Sequence, residues 1–507
     1  MNTEIYDVII IGGGSTGLGV AVESASRGYK TLLLEAYDYG KGTSSKSTKL
    51  VHGGIRYLAN FDFSLVKEGL EERYFFLKNA PHLAHAQRYL IPFHNWFEKL
   101  EYHIGIRLYD FLAGRLKIGK SRFFSKKEIL AAAPNLNPKH IVGGGLYFDG
   151  QFDDTRMLVT LLKTFESLGG VALNYHCVTG IAKSRAEIWS ITTQDVLNTQ
   201  ELVFHTKVLI NATGIFTDTL LNLADSKTPH STVEPAQGTH LVFDKDIFNC
   251  EYALLIPKTV DGRILFVLPW HDKVLVGTTD VHMDHPSIDP TPQAEEIELI
   301  LSTLNQYTKH KVTRQDIRSI FVGQRPLVKP AHAKNTKKIS RRHEVFMTQK
   351  GFITIVGGKW TIYRRMGEDT IDFAIKAGLL PKSISRSKNL LLSGATTTPE
   401  AYPFSVYGTD AKAVHAIETE CHNTRRLHPD LPYFEAEIIY HIRHEQAKTV
   451  EDVLARRTRA LFLNAKAAIE AAPIVAALMA RHLKKDEHWV KAQVSTFNQL
   501  AYTYCPF

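Results

Sequence analysis

Tyr6-Asp-Val-Ile-Ile-Ile-Gly12-Gly-Gly14-Ser-Thr-Gly17 carries an apolar strand straight into a glycine-rich turn, and the pattern predicts a helix from roughly Ser15 to Arg27. A second apolar run, Thr31-Leu-Leu-Leu34, then ends on Glu35. Strand, G-x-G-x-x-G turn, helix and a strand closing on an acid make one βαβ unit suited to a dinucleotide. Gly12 permits the tight turn, Gly14 leaves no Cβ in the path of a pyrophosphate, and Gly17 lets helix and strand approach. The helix start offers unsatisfied N–H groups and the positive end of its dipole to phosphate. Glu35 is placed to accept hydrogen bonds from a ribose hydroxyl.

The following residues point to the kind of dinucleotide. Gly40 to Leu58 is a long polar loop, Gly-Lys-Gly-Thr43-Ser44-Ser45-Lys-Ser47-Thr48-Lys49-Leu50-Val-His52-Gly53-Gly54-Ile-Arg56-Tyr57-Leu58, where a nicotinamide enzyme would repeat its βα units. A large cofactor lying along this loop would bring its reactive ring near the far end. Two more strands end in small-residue turns, at Val208-Leu-Ile-Asn-Ala212-Thr213-Gly214 and at Phe352-Ile-Thr-Ile-Val356-Gly357-Gly358-Lys359-Trp360-Thr361. The second precedes a helix start that could stabilise negative charge on a reduced flavin.

The chain resembles the FAD-dependent glycerol-3-phosphate dehydrogenases, the respiratory, quinone-linked group. The likeness rests on the first glycine motif, Thr43 to Leu58, Val276-Gly-Thr-Thr-Asp280, Gly323-Gln-Arg-Pro-Leu327, Gly357 to Thr361 and His444 to Arg459. It implies an α/β fold, α+β overall. A Rossmann-like FAD domain of the glutathione-reductase/D-amino-acid-oxidase type would be joined to an antiparallel-sheet substrate domain and a C-terminal helical domain. It implies oxidation of sn-glycerol 3-phosphate to dihydroxyacetone phosphate, with hydride passing from C2 to flavin N5 and electrons leaving for a membrane quinone. Cofactor contacts are expected from Gly12, Gly14, Ser15, Thr16, Gly17, Glu35, Thr43, Ser44, Ser47, Lys49, Leu50, His52 and Val178. Ala212, Thr213, Gly214, Gly357, Gly358, Lys359, Trp360 and Thr361 complete that set.

A substrate phosphate needs fixed cations, and guanidinium forks give bidentate contacts. Arg56 and Arg325 lie in glycine- or proline-constrained loops, and by resemblance they line the substrate site with Tyr57 and Lys359. A secondary alcohol must also lose its hydroxyl proton, for which imidazole is suited near neutral pH. His52 is the first candidate and His240 the second; His52 could equally polarise the product carbonyl. Thr279 and Asp280 are expected to hydrogen-bond substrate or loop. Two other readings remain open: an oxygen-using oxidase on the same scaffold, acting on glycerol 3-phosphate or a related amine or hydroxy acid, and a non-catalytic, flavin-binding, membrane-associated scaffold.

The 507 residues suffice for two or three domains, and their 44% hydrophobic and 22% charged content is that of an ordinary globular protein. Cys177, Cys250, Cys421 and Cys505 stand far apart, which argues against a metal site or disulfide framework and for a reducing compartment. The first strand begins by Tyr6, so no secretory signal is expected, and Glu470 and Pro473 interrupt the apolar stretch Ala467 to Met479, which reads as a core helix. The net charge of +9 favours an anionic partner. Much of the excess lies between Lys99 and Lys127, where Trp96, Leu100, Ile104, Leu108 and Leu112, with Phe97 and Phe111, suggest an amphipathic basic helix at an anionic lipid surface. No nucleic-acid motif is present. The expected location is the cytoplasm or the cytoplasmic face of the cell membrane, held peripherally, and a homodimer is left open.

The expected domains are a discontinuous FAD-binding domain (1–75, 145–235 and 335–385), a substrate domain (76–144 and 236–334) and a C-terminal helical domain (393–507). Ser125-Lys-Lys-Glu128 reads as a capping box, and Thr449 as a helix cap acting near Asp452.

Overall fold

The computed structural model describes residues 4–139, 141–225, 231–257, 259, 262–329, 342–422 and 424–506. The side chains of Arg56, Ala59 and Asn60 are outside this description, as is the start of the expected third FAD segment at 335.

The leading strand, Ile5–Ile11, buries Val8, Ile9 and Ile10 completely. It sits between parallel neighbours Glu201–Asn211 and Thr31–Leu34, and its centre is apolar on both sides because both faces are covered: Val8 and Ile10 pack with helix residues such as Leu18 and Leu161, and Ile9 and Ile11 with Trp189, Ile191 and Leu220. The sheet continues to Ile353–Val356 on one side, parallel to Glu201–Asn211, and to Val171–Leu173 on the other. Three adjacent strands, Ile5–Ile11, Glu201–Asn211 and Ile353–Val356, therefore end on one edge. Their register, Ile11 opposite Asn211 and Asn211 opposite Thr354, brings the Gly12, Gly214 and Gly357 bends together although they are separated by long insertions. Ligands of open α/β sheets bind at this carboxyl edge.

A second sheet of ten strands stands over that edge. Towards one edge Val233–Asp244 lies between Ile317–Val328 and Lys273–Gly277, and the pairings are antiparallel except for Ala253–Ile256 against Ala84–Phe93. It recruits more of the chain than the sequence suggests. Gly143–Phe152 pairs with Ala84–Phe93 and Leu50–Val51, so the segment after 145 begins in this sheet before the chain returns to the first. A strand of glycines and aromatics does not reveal which sheet it will join, because either offers the same ladder of hydrogen bonds.

The basic segment is not one long helix. Trp96–Ala113 ends at Gly114, with φ +50°, and the later cations lie in turns, in the strand Arg122–Ser125 and in the short helix Lys126–Ala132. The Ser125–Glu128 capping box is formed. Leu108 and Leu112 of the expected stripe are partly buried against the core, whereas Trp96, Phe97, Leu100, Ile104 and Phe111 are exposed.

Beyond Leu392 the chain is mainly helical, with Ala411–Cys421, Glu435–His444, Ala465–Leu483 and Glu487–Tyr502. Thr449 Oγ1 accepts the Asp452 N–H at 3.2 Å, as a cap does. Ala467, Ala468, Ala471, Ala472, Val475 and Ala476 face the core. Among the described residues no helix is long and apolar enough to cross a membrane.

Candidate functional site

The three glycine bends and the long polar loop line a cleft of about 1680 Å³ between the two sheets. Its floor is a cradle that side chains would fill. Gly12 has φ +110°, and a Cβ there would lie 2.6 Å from the Ala212 carbonyl; one on Gly17 would lie 1.8 Å from the Gly12 carbonyl. The helix Ser15–Ser26 starts at Gly14 with no side-chain cap and no acid in its first turn. Ser44 Oγ accepts the Ser15 N–H at 2.9 Å, so the loop folds back over the helix start. Gly12, Gly14, Ser15, Thr16, Thr43, Ser44, Ser47, Leu50, Val178, Ala212, Thr213, Gly214, Gly357, Gly358, Trp360 and Thr361 all face this cleft. Gly17 is buried beneath it and acts by close packing.

Glu35 lines the cleft, but its carboxylate also ties the turn together by accepting the N–H groups of Gly13 at 2.5 Å and Tyr37 at 2.9 Å. Burial raises its pKa, against those two bonds. A carboxylate has about four acceptor positions, so this arrangement leaves capacity for a ribose hydroxyl. An extended, glycine-floored groove with a helix start and an acid at one end fits a dinucleotide such as FAD.

The same cleft is lined by the groups expected to meet substrate. His52 faces the cleft, and its N–H donates to Thr361 Oγ1 at 3.2 Å. Lys359 Nζ sits 4.0 Å above the Tyr57 ring, a cation–π contact that fixes it between the loop and the third bend. Arg325 donates to Asp280 Oδ1 at 3.1 Å and to Thr278 Oγ1 at 3.2 Å. His240 is buried, stacked on Phe321 with centroids 4.7 Å apart, and its Nε2 lies 2.9 Å from Thr48 Oγ1. Burial, then the charges of Lys49 and Arg325, hold its pKa well below the ordinary histidine range. Thr279 borders the cleft, but its hydroxyl donates to the Glu296 carboxylate and accepts the Thr239 N–H at 2.8 Å, which makes it a brace rather than a free donor. The Arg56 backbone is in the turn Ile55–Asn60 leading from His52.

Lys49 departs from expectation. It does not reach the cleft: its ammonium is fully buried, 2.5 Å from Asp154 Oδ2, and donates to the Ser45 carbonyl at 2.9 Å. Its backbone has φ +62°, which turns the side chain under the loop while its neighbours face the cofactor groove. The alternation of loop residues cannot be read from sequence when the backbone leaves regular geometry.

Sequence reasoning also missed residues that border the cleft. Arg263 follows the turn at Gly262 and donates to the Asp280 carbonyl; Arg342 donates to Ser64 Oγ at 2.6 Å. Arg342 stands beside Arg341 in a generally basic stretch, with nothing to single it out. Lys46 and Thr48 lie in the quoted loop, and only their placement distinguishes them from its other polar residues. Among the described residues no His, Cys, Asp and Glu cluster could hold a metal.

Comparison with known proteins agrees with this architecture. The sequence profile of the FAD dependent oxidoreductase family matches residues 7–364, and that of the C-terminal domain of alpha-glycerophosphate oxidase matches residues 353–490. The mitochondrial glycerol-3-phosphate dehydrogenase of Macaca fascicularis is 36% identical over 538 residues, covering 99% of this chain and 74% of the relative. That of Arabidopsis thaliana is 36% identical over 548 residues, covering 99% and 87%. In fold, the chain is similar to the glycerol-3-phosphate dehydrogenase from Bacillus halodurans complexed with FAD, with a TM-score of 0.80, 24% identity and coverage of 100% and 96%. The chain belongs to the FAD dependent oxidoreductases and, among them, to the glycerol-3-phosphate dehydrogenases, with FAD as its cofactor.

Proposed function

We propose that this protein oxidises sn-glycerol 3-phosphate to dihydroxyacetone phosphate and delivers the electrons to a membrane quinone. The observation that carries this reading is that Arg325, Lys359 and His52 all line the same glycine-floored cleft. Bound FAD supplies a two-electron acceptor. The protein supplies the rest. Arg325 offers a guanidinium fork to the phosphate dianion, and Lys359 adds a second positive charge, with Arg56 assigned to the same phosphate by family resemblance. His52 takes the hydroxyl proton as C2 is oxidised. His240 suits that task less well, because burial and two neighbouring cations disfavour the imidazolium it would have to become. It serves instead to orient substrate or loop through Thr48. The second sheet roofs the pocket, and exclusion of water strengthens each charge contact.

Delivery to a quinone requires contact with a bilayer. On the helix Trp96–Ala113 the exposed Trp96, Phe97, Leu100, Ile104 and Phe111 fall within about 100° of arc, opposite the buried Ile106, Tyr109 and Ala113. Lys99 Nζ lies 4.2 Å over the Trp96 ring, at the edge of that stripe. Aromatic and aliphatic side chains flanked by cations suit insertion into an anionic lipid interface, and this supports a peripheral position on the cytoplasmic face of the membrane.

Anaerobic mixing tests the chemistry. Glycerol 3-phosphate should bleach the yellow protein, and a short-chain quinone should restore the colour much faster than air does. No bleaching would remove the substrate assignment, and faster recovery in air would favour the oxidase reading. Sedimentation with anionic vesicles tests the helix: replacing Phe97 and Phe111 with Ser should release the protein, and equal sedimentation of variant and parent would end the lipid assignment.

A further inference from the structure

Beneath the cofactor loop lies a cluster of buried ions that stand behind the cleft lining and do not themselves border the cleft. Asp154 is at its centre, at the start of the helix Asp154–Ser167. Its Oδ2 accepts the Ser47 hydroxyl at 2.8 Å, the Ser47 N–H at 3.2 Å and the Lys49 ammonium at 2.5 Å. A further partner comes from about 300 residues along the chain: Arg459, which follows the Asp452–Arg457 helical turn, approaches Asp154 Oδ1 at 3.3 Å. The same guanidinium donates to the Ser45 carbonyl at 2.9 Å, and that oxygen also accepts from Lys49. Arg459 is itself fixed, 3.8 Å over the Phe462 ring and donating to the Ala455 carbonyl at 3.1 Å. Two cations from distant parts of the chain thus share one backbone oxygen.

Ser45 lies between residues that face the groove. Ser44 accepts the N–H of Ser15 at the phosphate-facing helix start, and its carbonyl accepts Trp360 Nε1 at 2.9 Å. Moving the Ser45 carbonyl would rotate the Ser45–Lys46 peptide, which leads from Ser44 to the groove-lining Lys46 and Ser47, and losing Asp154 would free Ser47. We infer that Arg459, acting through Asp154 and the Ser45 carbonyl, is a positioning residue for FAD, so that docking of the C-terminal helical region and occupancy of the dinucleotide groove are thermodynamically linked. Linkage is reciprocal: if the docked region tightens FAD, then FAD steadies the docked region.

The test uses the full-length chain stripped of FAD and titrated with FAD by quenching of flavin fluorescence. Arg459→Met should weaken FAD by about tenfold or more, since a charge-assisted hydrogen bond is lost. Arg459→Lys should recover much of that loss, and KM for glycerol 3-phosphate at saturating FAD should stay unchanged. Arg443→Met, which removes only the exposed pair with Glu420, should bind FAD as the parent does. An Arg459→Met protein that folds, by circular dichroism, and binds FAD as tightly as the parent would overturn the inference. Hydrogen exchange on the unmutated protein gives an answer even where that variant does not fold. FAD should slow exchange at amides 455–462, and equal exchange with and without FAD would also overturn it.

Discussion

Two groups of charges flank the dinucleotide groove, and they differ in how fully each ion is paired. Around the substrate end, Arg325 and Asp280 leave 35% and 43% of their side chains exposed and meet through one contact of 3.1 Å. Behind the loop, Asp38 and Arg457 are completely buried and meet twice, at 2.7 and 2.9 Å, while Arg456 takes the same carboxylate at 2.5 Å. Arg156 and Glu445 form another bidentate pair, at 2.9 and 2.7 Å, with side chains 3% and 0% exposed. Half-solvated ions that meet through one contact can exchange one ligand for another at small cost. Saturated, desolvated ions cannot, because opening one leaves a charge stranded in low dielectric. The first group is fitted to receive a phosphate, whereas the second fixes the C-terminal helices against the cofactor loop.

The largest expected effect lies in the buried group. Asp38→Ala leaves two guanidiniums facing no common carboxylate and should cost about 3–5 kcal/mol, read as a lowered urea midpoint. A midpoint within experimental scatter of the parent would mean that Arg456 and Arg457 are held by their other partners, and the contrast between the groups would fail.

Acid should separate the groups next. Burial alone would raise the Glu445 carboxyl, but Arg156 and then His441 bring it down to about 2 from an ordinary 4.5. A depressed carboxylate contributes stability that is present above the unfolded value and lost as pH falls through the folded one. Between pH 4.5 and about 2 this pair should therefore lose roughly 3 kcal/mol. His441, pushed by burial down to about 3, acts in the same direction, because the unfolded chain takes up that proton first. Glu437, raised by burial to about 7, opposes them only between pH 7 and 4.5, where protonation favours the folded state. Arg156→Met should flatten the stability curve below pH 4.5; an unchanged acid limb would show that other carboxylates dominate it.

The smallest structural effect and the sharpest functional one belong to Arg325. Arg325→Met should leave stability within roughly 0.5 kcal/mol of the parent. It should lower kcat/KM for glycerol 3-phosphate by about ten- to a hundredfold, the loss of one charged hydrogen bond. A large fall in melting temperature with little change in kcat/KM would reverse the assignment of the two groups.

What was legible in the sequence follows from local rules. The run from Tyr6 to Gly17 announces itself because a buried strand, a positive-φ turn and a helix start impose their residues within a few positions. The same logic found the bends at Gly214 and Gly357, and the capping residues Ser125 and Thr449. Lys49 was misplaced because a left-handed backbone residue breaks the alternation that assigns loop side chains to a face. Leu108 and Leu112 were assigned to the exposed stripe because four-residue spacing drifts around a helix of 3.6 residues per turn. Arg263 and Arg342 were invisible, since a cation in a turn or a basic stretch carries no mark of the cleft it will border.

By itself the sequence determined the βαβ unit, the order of the glycine bends and the types of side chain available for phosphate and proton. Those depend on neighbours a few residues apart, where sterics and hydrogen bonding act directly along the chain. Only the tertiary structure decided that three bends share one edge, that Gly143–Phe152 joins the roof, and that Arg459 lies beneath Ser45. Those contacts join segments up to about four hundred residues apart, and only the burial of apolar faces and the pairing of ions in the folded interior select them.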